Sequence, residues 1–139
     1  GHTIGNAHCF TFTKRIYNFS GRGDSSDTDP SLDKNYVQRL RSKCSPRLAD
    51  ATKMVEMDPG SFKTFDTNYF KLVAKRRGLF QSDAALLDDA DTKAVVLRLA
   101  QASPDEFFRE FAASMVKMGN VGVLTGSQGE IRKHCARVN

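Results

Sequence analysis

The sequence has no long apolar run. Its apolar stretches are only a few residues long, whereas a transmembrane helix needs roughly 20 apolar residues. No charged segment followed by an apolar one stands at its start, as a retained signal peptide would require. We therefore expect neither a membrane span nor a retained signal peptide, and a leader removed earlier is left open.

Strand patterns are also scarce. Apolar and polar residues alternate only in short pieces near residues 7–9 and 54–57, so the chain is predicted to be mainly α with at most a very short β ribbon. Polar segments rich in Gly, Pro or Asp, such as residues 20–31 and 59–61, are typical of loops. Loops this long need a disulfide, a metal or a cofactor to organise them.

Cysteine is scarce, and the three cysteines do not have the spacing of a zinc site. Cys9, Cys44 and Cys135 are an odd number and include no CxxC pair, which argues against a zinc site of the usual kind. In a secreted protein two of them can pair, and the third is either a free thiol or has a partner outside this sequence. The sequon that begins at Asn18 favours a secretory route only weakly.

The composition suits one soluble globular domain, with 40% hydrophobic and 27% charged residues. Lys and Arg number 21 against 16 Asp and Glu, a net charge of +5, but they fall into short groups such as residues 75–77. No aromatic residues alternate with them and no phosphate-cradling loop accompanies them. We interpret the groups as solvated surface and helix ends, and expect no nucleic-acid partner.

The clearest helix begins after Ser103. Ser103 and Glu106 form a capping-box pattern, with Pro104 at the first helical position and Gly119 placed for a left-handed cap at the end. Its apolar residues recur at helical spacing: Phe107, Phe111 and Met115.

Three further helices are predicted. Residues 66–77 have an acidic start and three cations at the end, followed by Gly78, in agreement with the helix dipole. Tyr69 is one of the apolar residues on this predicted helix. Less regular patterns predict helices over 32–43 and 91–100.

A loop of hard oxygen donors is the first candidate site. Asp58, Ser61 and Asp66 lie close together in MDPGSFKTFD, and carboxylates, hydroxyls and carbonyls are the ligands that calcium prefers. The spacing matches no EF-hand, and Asp66 has an adequate structural role as a helix cap. We interpret Asp83 similarly, from its sequence context alone, as an aspartate in a loop or at a helix cap.

The histidines alone identify no catalytic site. His2, flanked by glycines near the terminus, would ordinarily be a frayed residue. A Cys/His hydrolase arrangement with His8 or His134 is disfavoured, because no neighbouring motif provides a nucleophile elbow or an oxyanion donor.

Several short motifs occur in one known order. They are GHTIG, Cys9, YNFS, YVQRLRSKC, EMDPGSFKTFD, GLFQSD, MVKMGNVGVLTGSQGEIRKHC and the terminal Val138-Asn139. Together they resemble the C-terminal half of a secreted plant haem peroxidase of class III, over essentially the whole chain. The resemblance implies that residues 1–139 are the proximal, mainly helical part of a haem peroxidase domain, whose distal part is absent from this sequence.

The resemblance implies two cofactors, haem b and calcium. His2 falls in the motif of the proximal histidine and would be the axial ligand of the haem iron, while Asp83 would accept from its other ring nitrogen and orient it. Thr3, Asp58, Ser61 and Asp66 would bind calcium through their side chains, and Thr64 through its backbone carbonyl.

The resemblance also implies pairings, location and activity. Cys9 would pair with Cys44, Cys135 would pair with a cysteine of the missing half, and Asn18 would be a glycosylation candidate in an extracellular, cell-wall or vacuolar protein. The implied activity is oxidation of phenolic or similar small aromatic donors by hydrogen peroxide.

The sequence departs from the family in ways that bear on activity. Ile4 stands where the family motif frequently has an aromatic residue, and Thr11 and Met57 stand where some relatives carry one. These departures alter packing while keeping the ligands. The distal histidine and arginine of the family would lie upstream, and neither His8 nor His134 matches them. The rival readings are a truncated, non-catalytic haem- and calcium-binding or structural fragment, and a basic interaction domain unrelated to haem.

Overall fold

The structure is a computed structural model that describes residues 2–46 and 52–139. These ranges are mainly helical with one short β ribbon, which confirms the predicted fold class. The helices are α1 (Thr13–Ile16), α2 (Lys34–Lys43), α3 (Asn68–Ala74), α4 (Gln81–Ala85), α5 (Ala90–Leu99) and α6 (Pro104–Gly119), and the strands are β1 (Asn6–His8) and β2 (Met54–Glu56). No helix in the described ranges is long and apolar enough to cross a membrane.

The chain forms two compact units, Gly1–Phe107 and Phe108–Asn139. The second contains the remainder of α6 and a 3-10 turn at Gly126–Gln128. Every candidate site residue except Cys135 lies in the first unit.

The β ribbon joins the start of the chain to the segment before the oxygen-rich loop. β1 and β2 are antiparallel, with the buried residues Ala7 and Val55 opposite each other. The pairing continues past the strands, because the amide of Met57 donates to the carbonyl of Gly5 at 3.1 Å. Residues just after His2 are therefore fixed against residues just before Asp58.

The larger core lies between the ribbon and α2. One face of α2 buries Tyr36, Val37 and Leu40 against Phe12 and Ile16. Asp33 caps this helix by accepting from the amide of Tyr36 at 3.0 Å. The other buried members of the core are Ala7, Cys9, Leu32, Cys44, Val55 and Leu79.

A smaller core fixes α3. Tyr69 and Val73 of α3 pack with Val96 of α5, and the ring of Phe70 meets that of Phe107 edge to face at 5.7 Å. The hydroxyl end of Tyr69 thereby has a fixed position.

A buried ion pair connects the first core to the segment before α4. Arg15 donates through Nε to Asp29 Oδ2 at 2.8 Å, and both side chains are about 95% buried, with 5% and 4% of their surface exposed. The Nη1 atom of Arg15 donates to the backbone oxygens of Gly78 and Leu79 at 2.9 and 2.8 Å. Charge-assisted bonds of this kind fix the backbone that leads into α4.

Two predicted helix ends were wrong in detail. The amide of Glu106 donates to Ser103 Oγ at 3.2 Å, as in a capping box, but the carboxylate of Glu106 pairs with Arg98. Gly119 is the last residue of α6 and not a left-handed cap, while Gly122 has a φ of 65°.

The end of α3 also differs from its prediction. The helix spans Asn68–Ala74 and the chain leaves it through Arg76, whose φ is 59°. Its start matches better, since Asp66 Oδ1 accepts from the amide of Asn68 at 2.8 Å.

Candidate functional site

His2 is held by a buried carboxylate. Its Nδ1 atom lies 2.8 Å from Oδ1 of Asp83, which is 1% exposed, and the two residues are 81 positions apart. The rings of Phe80 and Tyr69 face the imidazole edge to face at 4.8 and 6.0 Å. Among the described residues His2 makes no other side-chain hydrogen bond, so Nε2 retains its coordinating capacity.

Asp83 also caps the helix on which it stands. Its Oδ2 atom accepts from the amide of Phe80 at 2.8 Å, at the start of α4. Gly78 makes room for it, because a Cβ atom added there would lie 2.4 Å from the Cβ of Asp83. The reading of Asp83 as a capping aspartate is therefore correct, and the same carboxylate also bonds His2.

Tyr69 is a third member of this group. Its Oη atom donates to the same Oδ1 of Asp83 at 2.7 Å, and the residue is 3% exposed. The sequence predicts Tyr69 only as an apolar residue on the face of a helix. The hydroxyl on that face was the one signal available, and spacing alone does not tell where such a group points.

The residues expected to bind calcium lie together. Thr3, 3% exposed, donates through Oγ1 to the backbone oxygen of Asp66 at 2.8 Å and lies 3.4 Å from that of Thr64. Ser61 Oγ bonds Oδ2 of Asp66. Hydroxyl, carbonyl and carboxylate oxygens from residues 3, 58, 61, 64 and 66 thus come from two segments of the chain.

Asp58 carries a buried oxygen with no partner. It is fully buried, Asn68 Nδ2 bonds its Oδ1, and its Oδ2 has no hydrogen bond among the described residues. Burial raises the pKa of the Asp58 carboxyl, although the Asn68 bond opposes this. A cation would satisfy both the charge and the free lone pairs.

The oxygen cluster contains two carboxylates, those of Asp58 and Asp66. Its other donors are neutral hydroxyl and carbonyl oxygens. No group of three or more His, Cys, Asp or Glu side chains suited to a metal occurs in the described ranges. Neutral hydroxyl and carbonyl oxygens beside carboxylates favour calcium over zinc or copper.

The structure contains the Cys9–Cys44 disulfide that the resemblance implies, and Cys135 is a free, exposed thiol. Asn18 has a φ of 51° and its Oδ1 accepts from the amide of Gly23 at 2.7 Å.

The other histidines do not join His2. His8 stacks on Phe10 with a centroid distance of 5.4 Å, and His134 is exposed in the second unit.

Comparison with known proteins assigns the chain to a family. The sequence profile of the family described as Peroxidase matches residues 1–102, and the chain belongs to the peroxidase family. Over its whole length it is 64% identical to Peroxidase 1 of Oryza sativa subsp. japonica and 60% identical to Peroxidase 56 and Peroxidase 27 of Arabidopsis thaliana.

The match to these relatives is partial on their side. The chain spans 43%, 41% and 42% of their respective lengths. The resemblance to plant peroxidases of class III is confirmed, for a part of such a protein.

Proposed function

We propose that this chain is the proximal, haem-binding part of a plant peroxidase, with His2 as the axial ligand of the iron and a calcium ion beside it. The whole protein would use hydrogen peroxide to oxidise small aromatic donors. The observation that carries the proposal is the hydrogen bond between Nδ1 of His2 and the buried Asp83. This bond leaves Nε2 of His2 available for a metal.

The residues around His2 fit haem iron. An ionised carboxylate only accepts, so Asp83 fixes the proton on Nδ1 and leaves the lone pair on Nε2. The same bond would strengthen the imidazole as an electron donor to the iron. Haem supplies the redox chemistry by which peroxide is reduced and a donor is oxidised.

The oxygen cluster supports the calcium part of the proposal. Asp58 and Asp66 would provide charge, Thr3 and Ser61 hydroxyl oxygens, and Thr64 a carbonyl. The buried, unpartnered oxygen of Asp58 is the feature that a cation explains best. Because Thr3 follows His2 directly, the ion would fix the backbone of the iron ligand.

Turnover would require a second part of the domain. The resemblance assigns movement of the peroxide proton to a distal histidine and stabilisation of the departing oxygen to a distal arginine, and no residues of this sequence match them. We propose that the partner is the N-terminal half of a peroxidase domain. Without it, the chain would be a non-catalytic haem- and calcium-binding fragment.

Location is part of the same proposal. The Cys9–Cys44 disulfide favours an oxidising compartment, and the Asn18 sequon would receive a glycan there. A mass decrease on glycosidase treatment of the natural protein, abolished by Asn18→Gln, tests this. An unglycosylated natural protein would contradict it.

Haem titration tests the central claim. The chain should give a Soret band that saturates at one haem per chain, and His2→Ala should lose it. His134→Ala is the matched control and should bind as the unaltered chain does. Absence of stoichiometric binding, or equal binding by His2→Ala, would overturn the proposal.

A second measurement separates enzyme from fragment. Haem-loaded chain is mixed with peroxide and a phenol, alone and with the N-terminal half of one of the relatives. Oxidation that needs the added half supports the proposed partner. Haem binding without oxidation in either mixture would favour the non-catalytic fragment.

A further inference from the structure

Asp83 receives three hydrogen bonds, and two of them end on one oxygen. His2 Nδ1 and Tyr69 Oη lie 2.8 and 2.7 Å from Oδ1, while the amide of Phe80 bonds Oδ2. Asp83 and Tyr69 are 1% and 3% exposed, so water does not compete for these bonds. The His2 bond therefore shares its acceptor atom with a buried phenol.

The direction of the Tyr69 bond is fixed. An ionised carboxylate has no proton to give, and burial together with the nearby Asp83 charge raises the pKa of Tyr69 well above its ordinary range. The phenol thus stays protonated and donates. Its ring is fixed by the smaller core, so the hydroxyl remains aimed at Oδ1.

Two donors on one oxygen weaken each other. Each draws on the same lone-pair density, so a strong phenol bond makes the carboxylate a poorer acceptor for the imidazole proton. In a buried site this competition is larger than in water, because the low local dielectric strengthens every polar interaction.

We propose that Tyr69 limits how strongly Asp83 draws on the Nδ1 proton of His2, and so sets the electron-donating strength of the His2 ring towards its metal. Tyr69 is a positioning residue that acts through Asp83 and does not touch the bound group. This inference rests on the proposed function, since it assumes that His2 is a ligand.

Tyr69→Phe tests the proposal, with Tyr36→Phe as the control. Both tyrosines are buried, and the hydroxyl of Tyr36 has no hydrogen-bond partner in the described ranges. Both substitutions remove one hydroxyl and keep a ring, and circular dichroism verifies that each variant folds.

Two readouts do not depend on turnover. In the haem-loaded chain, Tyr69→Phe should raise the ferric-to-ferrous ratio at a fixed potential about tenfold, equal to a shift of about 59 mV to more negative values for a one-electron couple. In the haem-free chain, the Nδ1 proton of His2 should move downfield in the NMR spectrum, because its bond to Asp83 shortens. Tyr36→Phe should change neither.

A chemical variant covers the case in which Tyr69→Phe does not fold. The chain has three tyrosines, so 3-fluorotyrosine in a Tyr17→Phe/Tyr36→Phe background labels Tyr69 alone. A more acidic phenol is a stronger donor, and both readouts should shift in the opposite direction to Tyr69→Phe.

The outcomes separate this inference from the proposed function. If the chain binds no haem through His2, the proposed function fails, while the NMR readout still tests the competition at Asp83. Unchanged potential and unchanged chemical shift in Tyr69→Phe, or equal changes in Tyr36→Phe, would overturn the role of Tyr69.

Discussion

Thr3 and Asp66, 63 residues apart in the chain, exchange two hydrogen bonds. Oγ1 of Thr3 donates to the backbone oxygen of Asp66 at 2.8 Å and accepts from its amide at 3.2 Å. The residue next to the proposed iron ligand is thereby fixed to the segment just before α3. Disturbing the oxygen cluster should consequently affect both stability and haem binding.

Calcium removal is the first prediction. A chelator should lower the thermal midpoint of the chain by several degrees, because a ligand present at 100 times its Kd stabilises a protein by about 2.7 kcal/mol. In the Asp58→Ala variant, the thermal midpoint should be the same with and without calcium. Asp88→Ala, which changes an exposed aspartate outside the cluster, should preserve it. A chelator effect that survives Asp58→Ala would contradict the proposed site.

The second prediction concerns Gly78. A methyl group at this position would overlap Asp83, with the two Cβ atoms 2.4 Å apart. Gly78→Ala should cost about 1–3 kcal/mol of unfolding free energy and weaken haem binding. Gly119→Ala is the control, because a Cβ atom added there meets nothing within 4 Å. It should lower neither the unfolding free energy nor the affinity for haem. Urea unfolding and haem titration of both variants provide the measurement, and equal effects would contradict the packing argument.

The third prediction is a pH dependence from Asp29. Burial alone would raise the pKa of Asp29, but hydrogen bonds from Ser31 and Arg15 outweigh it and hold the pKa below its ordinary value of 3.8. A lowered pKa stabilises the fold above the unfolded-state value, and the contribution is lost as the pH falls through the folded-state value.

Asp29→Asn should therefore cost most at neutral pH, about 3–5 kcal/mol, because it leaves Arg15 buried and unpaired. Urea unfolding should be measured between pH 7 and pH 2.5. The difference in unfolding free energy between Asp29→Asn and the unaltered chain should shrink below about pH 3.8. Asp88→Asn is the exposed control. A difference that is constant over this range would mean that the Asp29 charge does not stabilise the fold.

The fourth prediction concerns the disulfide. Cys9 and Cys44 close a loop with a sequence separation of 35 residues, for which the chain-entropy treatment gives about 4 kcal/mol of stabilisation. The Cys9→Ser/Cys44→Ser chain should lose most of this in denaturant unfolding. Cys135→Ser should be neutral, since Cys135 is exposed and unpaired here. Equal losses in both variants would contradict the assignment.

Local signals in the sequence predicted the longer elements well. α6 was located by Ser103, Pro104 and its apolar spacing, and α2 and α5 were found within two residues. α1 and α4 were missed because four and five residues are too few to show a helical period. Gly78 was read as a helix-end signal, yet the structure uses it for close approach to Asp83.

Nonlocal relationships in the site could not be derived from spacing. Periodicity carries no information on a pair such as His2 and Asp83, and only the order of several motifs connected them. Neither spacing nor motif order predicts that Tyr69 bonds Asp83. The helical pattern reflects only the apolar ring of Tyr69 and carries no information on its hydroxyl.

The long sequence separation of the contacts in the site has a consequence for the speed of folding. Contacts that assemble the site join residues 63 and 81 positions apart, and closing such long loops costs conformational entropy before any contact is gained. Folding rates fall as the average sequence separation of contacts rises. Although the chain is mainly helical, its slowest folding step should be the closing of these long loops, and the pocket around His2 should be among the last parts to form.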